Sequence, residues 1–108
     1  MVEYSIELDL IFGSLADWTR RDIFKRVATR EQTVSEIASH YKMSMAAISK
    51  HLKILEHAKL ISKRRLGRQQ LVSATPLTLR GVQDYLEQYE QLWNKRFDAL
   101  DNYLKKGE

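Results

Sequence analysis

The chain has 108 residues, enough for one domain of ordinary size, and its 44% hydrophobic residues can bury a modest core. The formal net charge is +4, compatible with an anionic partner, and the lack of cysteine excludes disulfides, zinc–thiolate clusters and thiol catalysis. The N-terminal MVEYSIELDL interrupts its apolar residues with acids, unlike a signal or transit peptide, and no apolar run approaches the roughly 20 residues of a membrane span. The expected setting is therefore the cytoplasm, with no membrane partner.

Nothing reads as a linker, repeat or low-complexity tract, so residues 1–108 are expected to form a single domain. A first helix is expected over residues 4–14, with Ile6, Leu10, Ile11 and Phe12 as its apolar face. Asp17 suits an N-cap for a second helix through about Ala28, with Ile23, Phe24 and Val27 inward. Thr29 to Gln32 reads as a polar turn. Thr33-Val34-Ser35-Glu36 has the form of a capping box and starts a short third helix that ends near His40, burying Val34, Ile37 and Ala38. After the turn Tyr41-Lys42-Met43, Ser44 caps a fourth helix that runs to about Ala58. At about 100° per residue, Met45, Ile48, Leu52 and Leu55 share one face, while Ala46, Lys50, Lys53 and His57 lie opposite. Residues 60–65 and 69–74 read as two strands joined by Leu66-Gly67-Arg68, where Gly67 can supply the positive φ of a hairpin turn. Pro76 fits the first turn of a last helix reaching about residue 105, whose apolar seam of residues 82, 86, 89, 93, 97, 100 and 104 steps by three or four.

Two helices joined by a tight turn, the second with a basic outer face, make a helix-turn-helix over residues 33–58, and the hairpin over 60–74 makes it winged. The fold class expected is mainly α with a small β-hairpin, in the order α-α-α-α-β-β-α. A major groove accepts one helix, and small leading residues let it approach the base edges. Ser44, Ala46 and Ala47 are small, Ser49 and Lys50 can reach bases or phosphates, and Lys53 and His57 stand nearer the backbone. His51 is read as DNA-proximal or structural. Lys63, Arg64, Arg65 and Arg68 place four cations in six residues of the wing, suited to adjacent phosphates. Thr19, Arg20 and Arg21 open the second helix, whose amides and guanidinium groups could also meet a phosphate. The partner so implied is double-stranded DNA. A competing reading, in which the wing docks an acidic partner protein, needs a disrupted recognition face, and none is visible. No nucleophile–base pair, metal site or Gly-rich phosphate loop points to an enzyme or a cofactor.

The segments SLADWTRRDIF, TVSEIASHYKMSMAAISKHLKILEHAKLISKRRLGRQ and YLEQYEQLWNKRFDALDNYL together resemble the ArsR/SmtB family of winged-helix repressors, from about Ile6 to Leu104. SKHLKILEHAKLI is the most specific part, being similar to the family's S-x-HL-x-x-L-x-x-A-G-L-V signature. The resemblance implies a homodimer that binds an inverted repeat in a promoter and blocks transcription. It also implies dimerisation through the first and last helices, here residues 4–14 and 76–105. Ile6, Leu10, Tyr85, Leu86, Tyr89, Leu92, Trp93, Phe97, Leu100 and Leu104 would then form the interface. The chain departs from the family's metal sensors. Thr33 and Ser35 stand where cysteines bind metal in some members, and soft metals want thiolate or imidazole. The last helix offers Asp84, Glu87, Glu90, Asp98 and Asp101 but no histidine. No metal partner is expected, and whether a small molecule or a protein serves as inducer stays open. Trp18 replaces a usual proline, and is expected either to pack beside the dimer interface or to stay partly exposed. Lys59 replaces a usual glycine after the recognition helix, where left-handed φ would cost a lysine roughly 1 kcal/mol.

Overall fold

The computed structural model describes residues 2–107, and the side chains of residues 7–107. Five helices and three short strands follow one another as α1 (Val2–Ser14), α2 (Trp18–Thr29), β1 (Gln32–Thr33), α3 (Val34–Ala38), α4 (Met45–His57), β2 (Ile61–Leu66), β3 (Gln69–Ala74) and α5 (Pro76–Lys106). They divide into two compact units, Met1–Thr78 and Leu79–Glu108.

The helix starts follow from capping chemistry. Asp17 accepts the Arg20 N–H and opens α2. Thr33 and Glu36 form the reciprocal capping box of α3, and Ser44 accepts the Ala47 N–H at the start of α4. Each such cap satisfies donors that a helix start leaves unpaired, a gain of about 1 kcal/mol. Pro76 occupies the first position of α5, where its missing N–H costs nothing. In the first unit the core gathers Ile23 and Val27 of α2, Ile37 of α3, Ile48, Leu52 and Leu55 of α4, and Leu60, Ile61 and Val72 around the hairpin. α2 packs on α4 and β3, and α4 also packs on α1 and β2.

The sheet has three antiparallel strands in the order β1-β3-β2, where the sequence suggests only the hairpin pair. Gln32 and Thr33 pair with Val72 and Leu71, so the expected polar turn contributes an edge strand. A two-residue strand is too short to show an alternating pattern, and its polarity masks the burial of Gln32. Gln32 Nε2 donates to the Arg26 carbonyl, while its Oε1 is buried without a partner among the described residues.

Gly67 takes φ +64° in the β2–β3 turn, and Lys59 takes φ +62° just beyond α4. Lys59 N–H donates to the Glu56 carbonyl at 2.9 Å and Leu60 N–H to the Leu55 carbonyl at 3.1 Å. This is the paired bond pattern of a Schellman helix end, with lysine in the position that favours glycine. Phe12, expected on the apolar face of α1, is exposed, whereas Leu8 and Ile11 of the same helix are buried. Trp18 is exposed as well. Within α5, Tyr85 and Tyr89 meet edge to face with hydroxyls 3.1 Å apart, and Trp93 stacks on Phe97.

Candidate nucleic-acid interface

Helix α4 presents three longitudinal faces. Ile48, Leu52 and Leu55 are buried in the core. Ala47, His51 and Ile54, spaced by four and three residues, form a half-buried flank. Ala46, Ser49, Lys50 and Lys53 lie on an exposed face, preceded by Ser44. The side chains of Ser49, Lys50 and Lys53 make no hydrogen bond or ion pair with another described residue, so their polar groups are available to a ligand. Met45 departs from the expected inward face and is 53% exposed. It is the first residue of α4, one turn beyond the buried Ile48, so periodicity alone assigns it a face that the core does not reach.

Arg20, read from the sequence as a phosphate ligand, is engaged inside the fold. Its Nε donates to the Ser14 carbonyl at 2.6 Å, its Nη2 to the Gly13 carbonyl at 3.3 Å, and its Nη1 lies 3.3 Å from His51 Nδ1. Arg21 Nη1 donates to the Leu15 carbonyl at 2.7 Å, although the side chain stays exposed. The Arg20 backbone N–H bonded to Asp17 holds that carboxyl below its ordinary range, with the Arg20 charge helping.

The wing does not present its cations as one surface. Across the hairpin Lys63 faces Val72, Arg64 faces Leu71 and Arg65 faces Gln70. Since Val72 is buried and successive side chains alternate, Lys63 and Arg65 share the core-side face and Arg64 takes the other. Lys63 is accordingly 16% exposed, its ammonium 3.6 Å from Glu56 of α4. Arg64 reaches Glu31 at 3.3 Å, and Arg65 Nε donates to the Gly67 carbonyl at the hairpin tip. Arg68 is exposed and lines an open cleft of about 210 Å3 with Thr33, Ser35, Met45 and Gln70. The run of cations is legible in the sequence, and the period of two that splits it was available there as well.

A cluster that sequence reasoning missed ties α2 to the helix-turn-helix turn. The Tyr41 hydroxyl donates to Asp22 Oδ2, which also accepts from Arg26 Nε at 3.1 Å, and the Arg26 guanidinium lies 5.8 Å from the Tyr41 ring centre. The Tyr41 hydrogen bond holds the Asp22 carboxyl below its ordinary value, and burial pushes the Tyr41 phenol up to about 12. The residues lie 19 positions apart, beyond the reach of any periodicity.

Of the residues assigned to a dimer interface, Leu86, Tyr89, Leu92, Trp93, Phe97, Leu100 and Leu104 of α5 are each about half exposed, while Tyr85 is half-buried. Leu10 of α1 is half-buried, and the Ile6 side chain lies outside the described residues. Leu10, Gly13, Lys53, Ile54 and His57 line an open cleft of about 410 Å3 between α1 and α4. Among the described residues no three His, Asp or Glu side chains gather as a metal site would require. No helix among them is long and apolar enough to cross a membrane.

This arrangement of helix-turn-helix and wing recurs in known proteins. The pattern defining the bacterial regulatory protein, arsR family, matches residues 17–63. The chain is 33% identical over 97 residues to the HTH-type transcriptional regulator Rv2034 of Mycobacterium tuberculosis, covering 90% of this chain and 85% of that protein. Over 57 residues it is 39% identical to the transcriptional repressor SdpR of Bacillus subtilis, 53% of this chain and 63% of that one. Among solved structures, an ArsR-like transcriptional regulator from a Rhodococcus species superposes with a TM-score of 0.74 at 29% identity, covering 89% of this chain and 91% of that one. The chain belongs to the arsR family of bacterial regulatory proteins, and is a winged helix-turn-helix transcriptional regulator rather than an enzyme.

Proposed function

We propose that the chain is a homodimeric repressor that acts in the cytoplasm, binds an inverted-repeat operator and does not respond to a metal. The observation that carries this reading is the exposed face of α4, where Ser49, Lys50 and Lys53 are left unbonded beside small residues. Ser44, Ala46, Ala47, Ser49 and Lys50 enter the major groove, and Lys53 meets the backbone at its edge. Arg65 and Arg68 at the hairpin tip hold adjacent phosphates. Arg64 and Lys63 join them only by exchanging their acidic partners for phosphate, at little cost for the exposed Arg64–Glu31 pair. Arg21 keeps donors for a phosphate, whereas Arg20 and His51 serve the scaffold.

The dimer is supported by the apolar stripe along α5. A contiguous row of half-exposed aromatic and leucine side chains is costly in water unless another surface covers it, and a second copy presents the same stripe. The non-metal reading is supported by Thr33, whose hydroxyl and N–H are occupied by its capping box with Glu36, and by the absence of histidine from α5. Repression is supported by the Bacillus subtilis relative, which is named a transcriptional repressor.

The test is footprinting and fluorescence anisotropy on the DNA upstream of the protein's own gene, across a salt series. Protection with two-fold symmetry, and log affinity falling linearly with log salt, is expected. Equal affinity for that DNA and for random duplex would reject the reading.

A further inference from the structure

We propose that His51 is a positioning residue for DNA binding, acting through its Nδ1 on Arg20 rather than by touching a base. The proposal rests on α4 being the helix that enters the groove. His51 follows Lys50 in sequence, yet its side chain is only 19% exposed and meets the corner where α1 ends and α2 begins.

The roles of the atoms follow from their chemistry. A guanidinium carries donors only, so His51 Nδ1, 3.3 Å from Arg20 Nη1, is the acceptor, and the neutral ring keeps its proton on Nε2. The same guanidinium donates to the Ser14 and Gly13 carbonyls at the end of α1. The Gly13 carbonyl already accepts the Ala16 N–H at 3.2 Å and uses its second lone pair for Arg20. One planar fork therefore ties three elements together: the end of α1, the start of α2 that carries Arg20, and α4 through His51. Asp17 Oδ2, which caps α2 through the Arg20 N–H, stands 3.9 Å from the same Nδ1.

This contact fixes how α4 is rotated about its own axis. His51 sits on the flank, and Ser49 and Lys50 point away from the corner onto the exposed face. A rotation or slide of α4 that breaks the Nδ1 contact moves both relative to the groove. Lysine could not replace Arg20, because its single ammonium lacks the fork that reaches three acceptors at once.

Asparagine carries its oxygen near the Nδ1 position, whereas glutamine places its amide near Nε2. His51→Asn, His51→Gln and His51→Leu in the full chain, assayed by anisotropy on a labelled duplex from upstream of its own gene, separate the two nitrogens. With one hydrogen bond at stake, H51N is expected to bind within about threefold of the unmodified protein, and H51Q and H51L to lose about tenfold. The double variant R20L/H51L should bind no more weakly than R20L alone, as coupled partners do. Thermal melts confirm that each variant is folded at the assay temperature.

Wild-type affinity in H51Q with loss in H51N would place Nε2 on the DNA and overturn the proposal, as would additive losses in R20L and H51L. If the unmodified chain prefers no upstream duplex, the functional reading fails and the brace is judged from the melts. H51N melting above H51Q then upholds it, and the reverse order overturns it.

Discussion

Replacing Lys59 with glycine should stabilise the protein. Lys59 has φ +62°, where the Cβ of an L-residue crowds the following carbonyl at a cost of roughly 1–2 kcal/mol. Glycine avoids that cost but gains about 0.5–1 kcal/mol of chain entropy in the unfolded state. The Lys59–Glu7 pair that is lost spans 3.8 Å between two well-exposed side chains, so it offsets almost nothing. Both backbone bonds of the helix end, from Lys59 N–H to Glu56 and from Leu60 N–H to Leu55, survive the change. The net gain is about 0.5 kcal/mol, which for a domain of this size raises Tm by about 2–4 °C. The measurement is thermal and urea unfolding followed by circular dichroism at one fixed protein concentration, since the proposed dimer would make Tm concentration-dependent. Lys59→Ala is the control, because alanine keeps the left-handed cost and should not exceed the unmodified protein. A midpoint for K59G that is unchanged or lower would refute the reasoning.

Other expectations follow from the same geometry. Lys50→Ala should weaken operator binding and relax its sequence preference, while Arg65→Ala should weaken binding to all sequences alike and reduce the salt slope by about one; anisotropy on matched and scrambled duplexes separates the two. Trp93→Glu should convert the proposed dimer to monomer in light scattering behind size exclusion, and a dimer persisting at the same concentration would remove α5 from the interface. Tyr41→Phe should change the pH dependence of stability at both ends. Asp22 is held below its ordinary 3.8, so its contribution is present above that value and lost as pH falls through the folded-state pKa. Tyr41 is raised from 10.0 to about 12, so its contribution is complete below pH 10 and lost as pH rises towards 12. Urea midpoints of Y41F should therefore fall less steeply than those of the unmodified chain in both windows, and parallel profiles would show that the Asp22–Tyr41 bond is not formed in solution.

The helices and their ends were determined by local sequence. Asp17, the Thr33–Glu36 box and Ser44 act on backbone donors three residues away, so their effect is present in any short window. The buried row Ile48, Leu52 and Leu55 and the positive φ of Gly67 and Lys59 were legible for the same reason. The tertiary structure decided what each polar side chain is free to do. Arg20 and Arg65 look alike in the sequence, yet one is closed on the end of α1 and on His51, and the other stands at an exposed hairpin tip. Lys63 and Arg64 are neighbours that the sheet turns to opposite faces, towards Glu56 and Glu31. Gln32 became a strand residue only because β3 offered it an edge. Helix caps and periodicity are interactions within a turn or two of chain. The partner of a cation 31 or 33 positions away is set by packing, and packing settles which charges remain for DNA.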